Sequence, residues 1–299
     1  MGEKVILTGA GGFVGGIIFS RGSDRFELHG ISSKTRPMGI ESDFWHSMNL
    51  QEDFSSLEKF MQEIRPGSLI HAAAMADIDA CEKDPELAWR INVELAEKLV
   101  HLCEACQCRL VYLSTDTVFD GEQGGYREHD SPSPVNFYGK TKQAAEQIVS
   151  GSKIPWAIAR LCLVMGFSTR GEGNSFLDKM ESALLNGREV GCPDNEIRSP
   201  IDVQTLAEAI LELAGNDLTG IFHLAGTEKL TRYEMGQRIA ARLGYDPALV
   251  VVKNADAIPG RAPRPRDVSL NQDWTRSQLT TRFKGIEEGI DYLLQLRTH

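Results

Sequence analysis

Val5-Ile6-Leu7-Thr8-Gly9-Ala10-Gly11-Gly12-Phe13-Val14-Gly15 carries a short apolar run straight into glycines at 9, 12 and 15. Residues 4–8 read as a buried strand, and the apolar stretch from Phe13 to Phe19 reads as a helix packed beneath a sheet. Between them the chain lacks side chains where a backbone must come close to an anion, and the first N–H groups of the helix face that anion. This is the pattern of a phosphate-binding turn in a dinucleotide site, with Gly9, Gly12, Phe13, Val14 and Gly15 as its contacts. Glycine-rich turns also close hairpins, so the rest of the chain has to agree.

Strand-like runs at 4–8, 27–31, 68–72, 109–114 and 155–161 alternate with helical stretches near 12–20, 53–64, 86–106 and 136–150. Such alternation implies an α/β fold, a doubly wound parallel sheet with helices on both faces. Past Gly166 the pattern changes to a polar loop at 168–174 and a helix over about 175–186, where a smaller C-terminal substrate lobe begins. An apolar helix at 203–214 and a short strand at 221–225 read as one more crossover, returning to the first domain. The expected division is a dinucleotide-binding Rossmann domain over 1–165, joined by 202–225, and a substrate lobe over 166–299.

A second motif bears on chemistry. Tyr138 and Lys142 in Tyr138-Gly139-Lys140-Thr141-Lys142 are four residues apart, a spacing that puts both on one face of a helix. Asn136, after Pro132 and Pro134, is placed to cap that helix. A free tyrosine has a pKa of about 10, and a neighbouring ammonium shifts it toward neutrality, as acid-base work requires. The bland alternative is a surface tyrosine beside a solvated lysine.

With Ser114-Thr115-Asp116, these motifs make the chain resemble the extended short-chain dehydrogenase/reductase family. Leu69-Ile70-His71-Ala72-Ala73-Ala74, Arg90-Ile91-Asn92-Val93, the run from Tyr112 to Gly121, Tyr126-Arg127-Glu128-His129-Asp130 and Arg264-Pro265 resemble its dTDP-4-dehydrorhamnose reductase branch. The likeness is strong to about residue 165 and looser beyond. It implies that Tyr138 protonates a carbonyl oxygen, that Lys142 tunes it and holds the nicotinamide ribose, and that Thr115 hydrogen-bonds the same oxygen. It also implies that Ala72, Ala73 and Ala74 let the cofactor pass close to a strand end. Asn92 matches an active-site asparagine of many members and reads equally as a helix residue bonding backbone. Asn174 and Arg264 are the implied substrate contacts; Asn174 also suits a helix cap, and the basic, proline-rich stretch 259–266 also suits a solvated loop. Arg198 is a further candidate, as a cation an acidic chain would place against a second anion, in a stretch, Ile197 to Ile201, where relatives often show Gly-Ser-Pro-Thr instead. Where relatives carry an aspartate before the adenine-contacting residue, this chain has Asn49-Leu50.

The cofactor expected is NADP(H) rather than NAD(H). NAD-selecting sites place a carboxylate about 20 positions after the glycines. Here the second strand ends in Ser32-Ser33-Lys34-Thr35-Arg36, and the first carboxylate afterwards is Glu41. Ser32, Lys34 and Arg36 suit a 2′-phosphate. The expected activity is NADPH-dependent reduction of the 4-keto group of a nucleotide-linked deoxysugar. Two rivals stand beside it: a nucleotide-sugar epimerase or dehydratase holding NAD, and a non-catalytic regulatory subunit, since the chain is also similar to the methionine adenosyltransferase beta subunit.

Bulk properties agree. The 299 residues carry 32 Lys and Arg against 42 Asp and Glu, a net charge of −10, which disfavours nucleic acid and anionic membranes as partners. No apolar run approaches the ~20 residues that cross a bilayer, and no signal peptide precedes the first strand, so the expected location is the cytoplasm. Of the six cysteines, Cys103, Cys106 and Cys108 cluster without a second ligand pair, so they read as reduced thiols, and no metal site is expected. A homodimer is left open.

Overall fold

The computed structural model describes residues 2–37, 39–168, 175–254 and 259–297. From the N-terminus run β1 (Lys4–Thr8), α1 (Phe13–Gly22), β2 (Glu27–Ser32), β3 (Trp45–Ser47), α2 (Phe54–Ile64), β4 (Ser68–His71), α3 (Ile78–Lys83) and α4 (Pro85–Trp89). A π-helical turn (Arg90–Glu94) leads into α5 (Leu95–Cys106), β5 (Arg109–Thr115), α6 (Phe137–Ser150), β6 (Trp156–Leu161) and β7 (Val164–Met165). Then come α7 (Phe176–Leu185), β8 (Val190–Cys192), β9 (Ile197–Arg198), β10 (Ile201–Asp202), α8 (Val203–Ala214) and β11 (Gly220–Leu224). The chain closes with β12 (Leu230–Thr231), α9 (Arg232–Arg242), β13 (Val250–Val252), α10 (Asp273–Gln278) and α11 (Ile286–Arg297).

Seven strands form one sheet in the order β11-β6-β5-β4-β1-β2-β3. β1 pairs in parallel with β2 and β4, so that Thr8 lies opposite both Ile31 and His71. All seven residues of β5 are buried, as expected of a strand with both faces covered. The chain winds outward through β2 and β3, then returns with β4 to the other side of β1. Connections therefore diverge at the carboxyl ends of β1 and β4, which opens the crevice where doubly wound folds take ligands.

One face of the sheet is covered by α2 and α5, which bury Leu57, Met61, Leu99 and Cys103 with Leu69, Leu110 and Ile158. Each such side chain removed from water stabilises the fold by roughly 1.5–3 kcal/mol. Two features differ from the sequence reading. β3 is a short edge strand whose Trp45 meets Phe19 edge-on at 5.5 Å, too brief to show as a periodic run. The long helix expected over 86–106 is interrupted. The π turn at Arg90–Glu94 separates α4 from α5, while Asp84 caps the start of α4 at Pro85 by accepting from the Leu87 N–H, and Asp77 caps the separate α3 at Ile78 by accepting from the Ala80 N–H.

The chain forms two units: Met1–Ser114 with Phe137–Ala159 and Ala207–Phe222, and Thr115–Asn136 with Arg160–Leu206 and His223–His299. The second unit holds three two-stranded pairs, β7 with β10, β9 with β12 and β8 with β13. In its core Phe119 stacks on Tyr126 at 4.2 Å, and the guanidinium of buried Arg160 lies 5.0 Å from the Phe119 ring. Among the described residues no helix is long and apolar enough to cross a membrane.

Candidate active site

The turn after β1 builds the first half of the site. Gly9 has φ +76°, and a Cβ there would lie 2.6 Å from the Ala73 nitrogen, so only glycine lets this turn lie against the end of β4. A Cβ on Gly15 would sit 2.1 Å from the Gly9 carbonyl oxygen, which is how closely α1 rides on the turn. Gly12 is the N-cap of α1; no side chain caps the helix and its first turn holds no acidic residue. Its leading N–H groups are thus available to an anion. Phe13 and Val14, half-buried, open the helix.

Around this turn lies a cleft of about 510 Å³ within the first unit. Gly9, Gly11 and Gly12 form one wall, Ser32, Ser33 and Lys34 another, Asn49 and Leu50 a third, and Ala72, Ala73 and Ala74 a fourth. Among the described residues no acidic side chain lines it, and Lys34 is the one charged residue that does. The Lys34 N–H donates to Ser32 Oγ at 3.0 Å, which shapes the loop and leaves the ammonium exposed. These features fit a dinucleotide with a phosphate on its adenosine ribose and supply no carboxylate for a bare ribose. Arg36 is exposed and lies outside the lining. Asn49 Oδ1 accepts from the Gln51 N–H at 3.2 Å, so this side chain orders its own turn. Gly11, Met48, Gln51, Met75, Leu87, Ile91 and Leu95 also line the cleft without having been singled out in the sequence. Gly11, inside the glycine run, and Ile91, inside Arg90-Ile91-Asn92-Val93, carried a signal.

Tyr138 and Lys142 occupy successive turns of α6, both buried. Lys142 Nζ sits 4.2 Å from the centroid of the Tyr112 ring. Burial pushes the Lys142 ammonium down to about 7, opposed first by Glu146 and then by Cys81. His71, at the end of β4, exchanges a 2.7 Å hydrogen bond with Thr8 Oγ1, and burial followed by the Lys142 charge pushes it to about 3, so it is neutral. Asn92 is fully engaged with protein: Oδ1 accepts from the Met75 N–H at 2.8 Å, and Nδ2 donates to Met75 O and Thr141 Oγ1, each at 3.0 Å. Its amide thus holds together a cleft-lining residue and the residue next to Lys142.

The remaining expected residues lie in the second unit. Thr115, last residue of β5, accepts from the Thr117 N–H at 3.2 Å and donates to Asp116 Oδ1 at 3.1 Å. Arg198 is buried and donates to the carbonyls of Ile197, Pro265 and Arg266 at 2.7, 3.1 and 3.2 Å, so its guanidinium orders the basic stretch. Half-buried Arg264 donates to Ala262 O at 2.8 Å. Asn174 lies outside the described residues. All six cysteines are unpaired thiols, with Cys106 half-buried and the others buried.

The family model described as the RmlD substrate binding domain matches residues 3–298. The chain belongs to this family. Among curated relatives of this RmlD-family chain, the dTDP-4-dehydrorhamnose reductase of Mycobacterium tuberculosis is 28% identical over 287 residues, covering 93% of this chain and 88% of the relative. The methionine adenosyltransferase 2 subunit beta of Bos taurus is 27% identical over 277 residues, covering 90% and 80%. Among solved structures, the dTDP-4-dehydrorhamnose reductase of Bacillus anthracis in complex with NADP superposes with a TM-score of 0.86 at 26% identity, covering 98% of this chain and 99% of that one. A hypothetical dTDP-4-dehydrorhamnose reductase from Sulfolobus tokodaii gives 0.82 at 32% identity over 96% and 98%.

Proposed function

We propose that this RmlD-family chain reduces the 4-keto group of a nucleotide-linked deoxysugar with NADPH, the sugar being dTDP-4-dehydro-L-rhamnose. The observation that carries the reading is the buried Tyr138–Lys142 pair, tied through Thr141 and Asn92 to a dinucleotide cleft without a carboxylate among its described lining residues. Relatives named as reductases, one of them solved with NADP, support it.

When bound, NADPH supplies the hydride. The turn from Gly9 to Gly15 and the start of α1 hold its diphosphate, and Ser32, Ser33 and Lys34 hold the ribose phosphate. Tyr138 gives its phenolic proton to the substrate carbonyl oxygen, and the Lys142 ammonium stabilises the tyrosinate that remains. In the second unit Arg264, and the stretch ordered by Arg198, bind the nucleotide portion.

The test monitors oxidation of NADPH, and separately NADH, by purified protein given dTDP-4-dehydro-L-rhamnose, with Tyr138→Phe alongside. Turnover that prefers NADPH and is lost in the variant is expected; turnover surviving in the variant removes Tyr138 from the mechanism. Relatives named as a methionine adenosyltransferase subunit support a second reading, a regulatory partner. That reading expects stable association with a catalytic subunit and no sugar reduction, which the same assay and a pull-down separate.

A further inference from the structure

α6 presents a third member on the face that carries Tyr138 and Lys142. Glu146 lies one more turn beyond Lys142, is only 4% exposed, and accepts a hydrogen bond from Ser114 Oγ on β5. A buried carboxylate is expensive unless it serves a charge. Lys142, itself 3% exposed, has few other ways to stay charged. From β5 it meets the Tyr112 ring, whose buried hydroxyl has no hydrogen-bond partner among the described residues. From β4 it meets His71, which is neutral. From α3 it meets Cys81, a thiol that burial, then Asp77 and Glu82, push up to about 11.

We infer that Glu146 is a positioning residue that keeps the buried Lys142 ammonium charged, so that the acid-base apparatus is the stripe Tyr138, Lys142, Glu146 rather than the first two alone. Ser114 orients the carboxylate, and the carboxylate sets the fraction of Lys142 that carries a proton near neutrality. This rests on the proposed function for its catalytic consequence but not for its electrostatic content. With Lys142 lowered to about 7 by burial against the pull of Glu146, loss of that pull leaves the amine largely neutral at pH 7.

The experiment uses full-length protein labelled with ¹⁵N-lysine, the Lys142 resonance being identified by its absence in Lys142→Met. The titration midpoint of that amine is compared between wild type, Glu146→Gln and Glu146→Asp without cofactor. A fall of about one unit or more in Glu146→Gln, tenfold in protonated fraction, with recovery in Glu146→Asp, is expected. An unmoved midpoint in folded Glu146→Gln overturns the inference. Should that variant fail to fold, Ser114→Ala keeps both charges and removes only the orienting hydroxyl; a smaller fall is expected, and none overturns it. In turnover assays the alkaline limb of kcat/KM should move down by the same amount in Glu146→Gln, whereas a structural defect lowers activity equally at every pH. A moved amine midpoint in a protein that reduces no keto-sugar sinks the proposed function and leaves this inference standing.

Discussion

The Asn92 side-chain amide donates to Thr141 Oγ1 at 3.0 Å, fastening the π-helical turn before α5 to the residue that precedes Lys142. Its other contacts, to the Met75 N–H and carbonyl, reach the wall of the cleft. A π turn adds a residue to a helix and re-aims the side chains beyond it, and such turns gather at functional sites. Here it turns one asparagine into a brace between the cleft and α6. Asn92→Ala leaves the Met75 N–H without its acceptor, so a stability loss of roughly 1–3 kcal/mol is expected from urea melts. NADPH affinity and kcat should fall with it, because both walls lose their common support.

Lys34 is the cofactor discriminator to test. Among the described residues its ammonium is the one charge lining the cleft, beside the hydroxyls of Ser32 and Ser33. Lys34→Ala should raise KM for NADPH roughly tenfold or more, the worth of a hydrogen bond to a charged group, while KM for NADH stays within about twofold. Equal changes for the two cofactors would move the phosphate contact elsewhere.

Gly15 tests how closely α1 must approach its turn. Its Cβ would meet backbone oxygen at 2.1 Å, not a side chain that could swing away. Gly15→Ala should cost about 1–3 kcal/mol in a thermal melt and abolish NADPH binding, since relief of the clash displaces the α1 N-terminus. Gly12→Ala is milder, because its nearest neighbour stands 3.2 Å away.

Acid should unfold the protein through two of its buried histidines, His71 and His223. His71 and His223 are both pushed to about 3, chiefly by burial, from an ordinary value of 6.5. Both are depressed, so the unfolded chain binds more protons than the fold below pH 6.5. The stability they contribute is fully present above 6.5 and is lost as pH falls toward 3, on the order of 4 kcal/mol for each. Denaturant melts at pH 7, 5.5 and 4 should show that slope. His71→Phe combined with Thr8→Val, which removes the orphaned hydroxyl, should flatten its share.

Removing the phenol of Tyr138 should lower kcat by roughly 10²–10⁴, the usual worth of a positioned proton donor, with NADPH titration nearly unchanged. A parallel loss of cofactor affinity would show instead that the ring is a wall of the binding site.

What the sequence determined was local and periodic. Apolar strand-like runs alternating with helical stretches set the strands and helices, and the glycines at 9, 12 and 15 set the turn, because steric permission at a glycine is written in the residue itself. The spacing of Tyr138 and Lys142 likewise fixed a shared helix face before any fold was known. The tertiary structure decided what depends on neighbours far along the chain. β3 exists because Trp45 finds Phe19, and Asn92 became a brace because two residues from other segments came within reach of one amide. Arg198, legible only as a cation, spends its donors on three carbonyls, and Thr115–Asn136 belongs to the second unit although it begins at the last residue of β5. Glu146 sits in plain view at the next helical step, yet nothing in its letter distinguishes a solvated carboxylate from a buried one. Burial is a property of the packed whole, and it is burial that gives Lys142 a need for that charge.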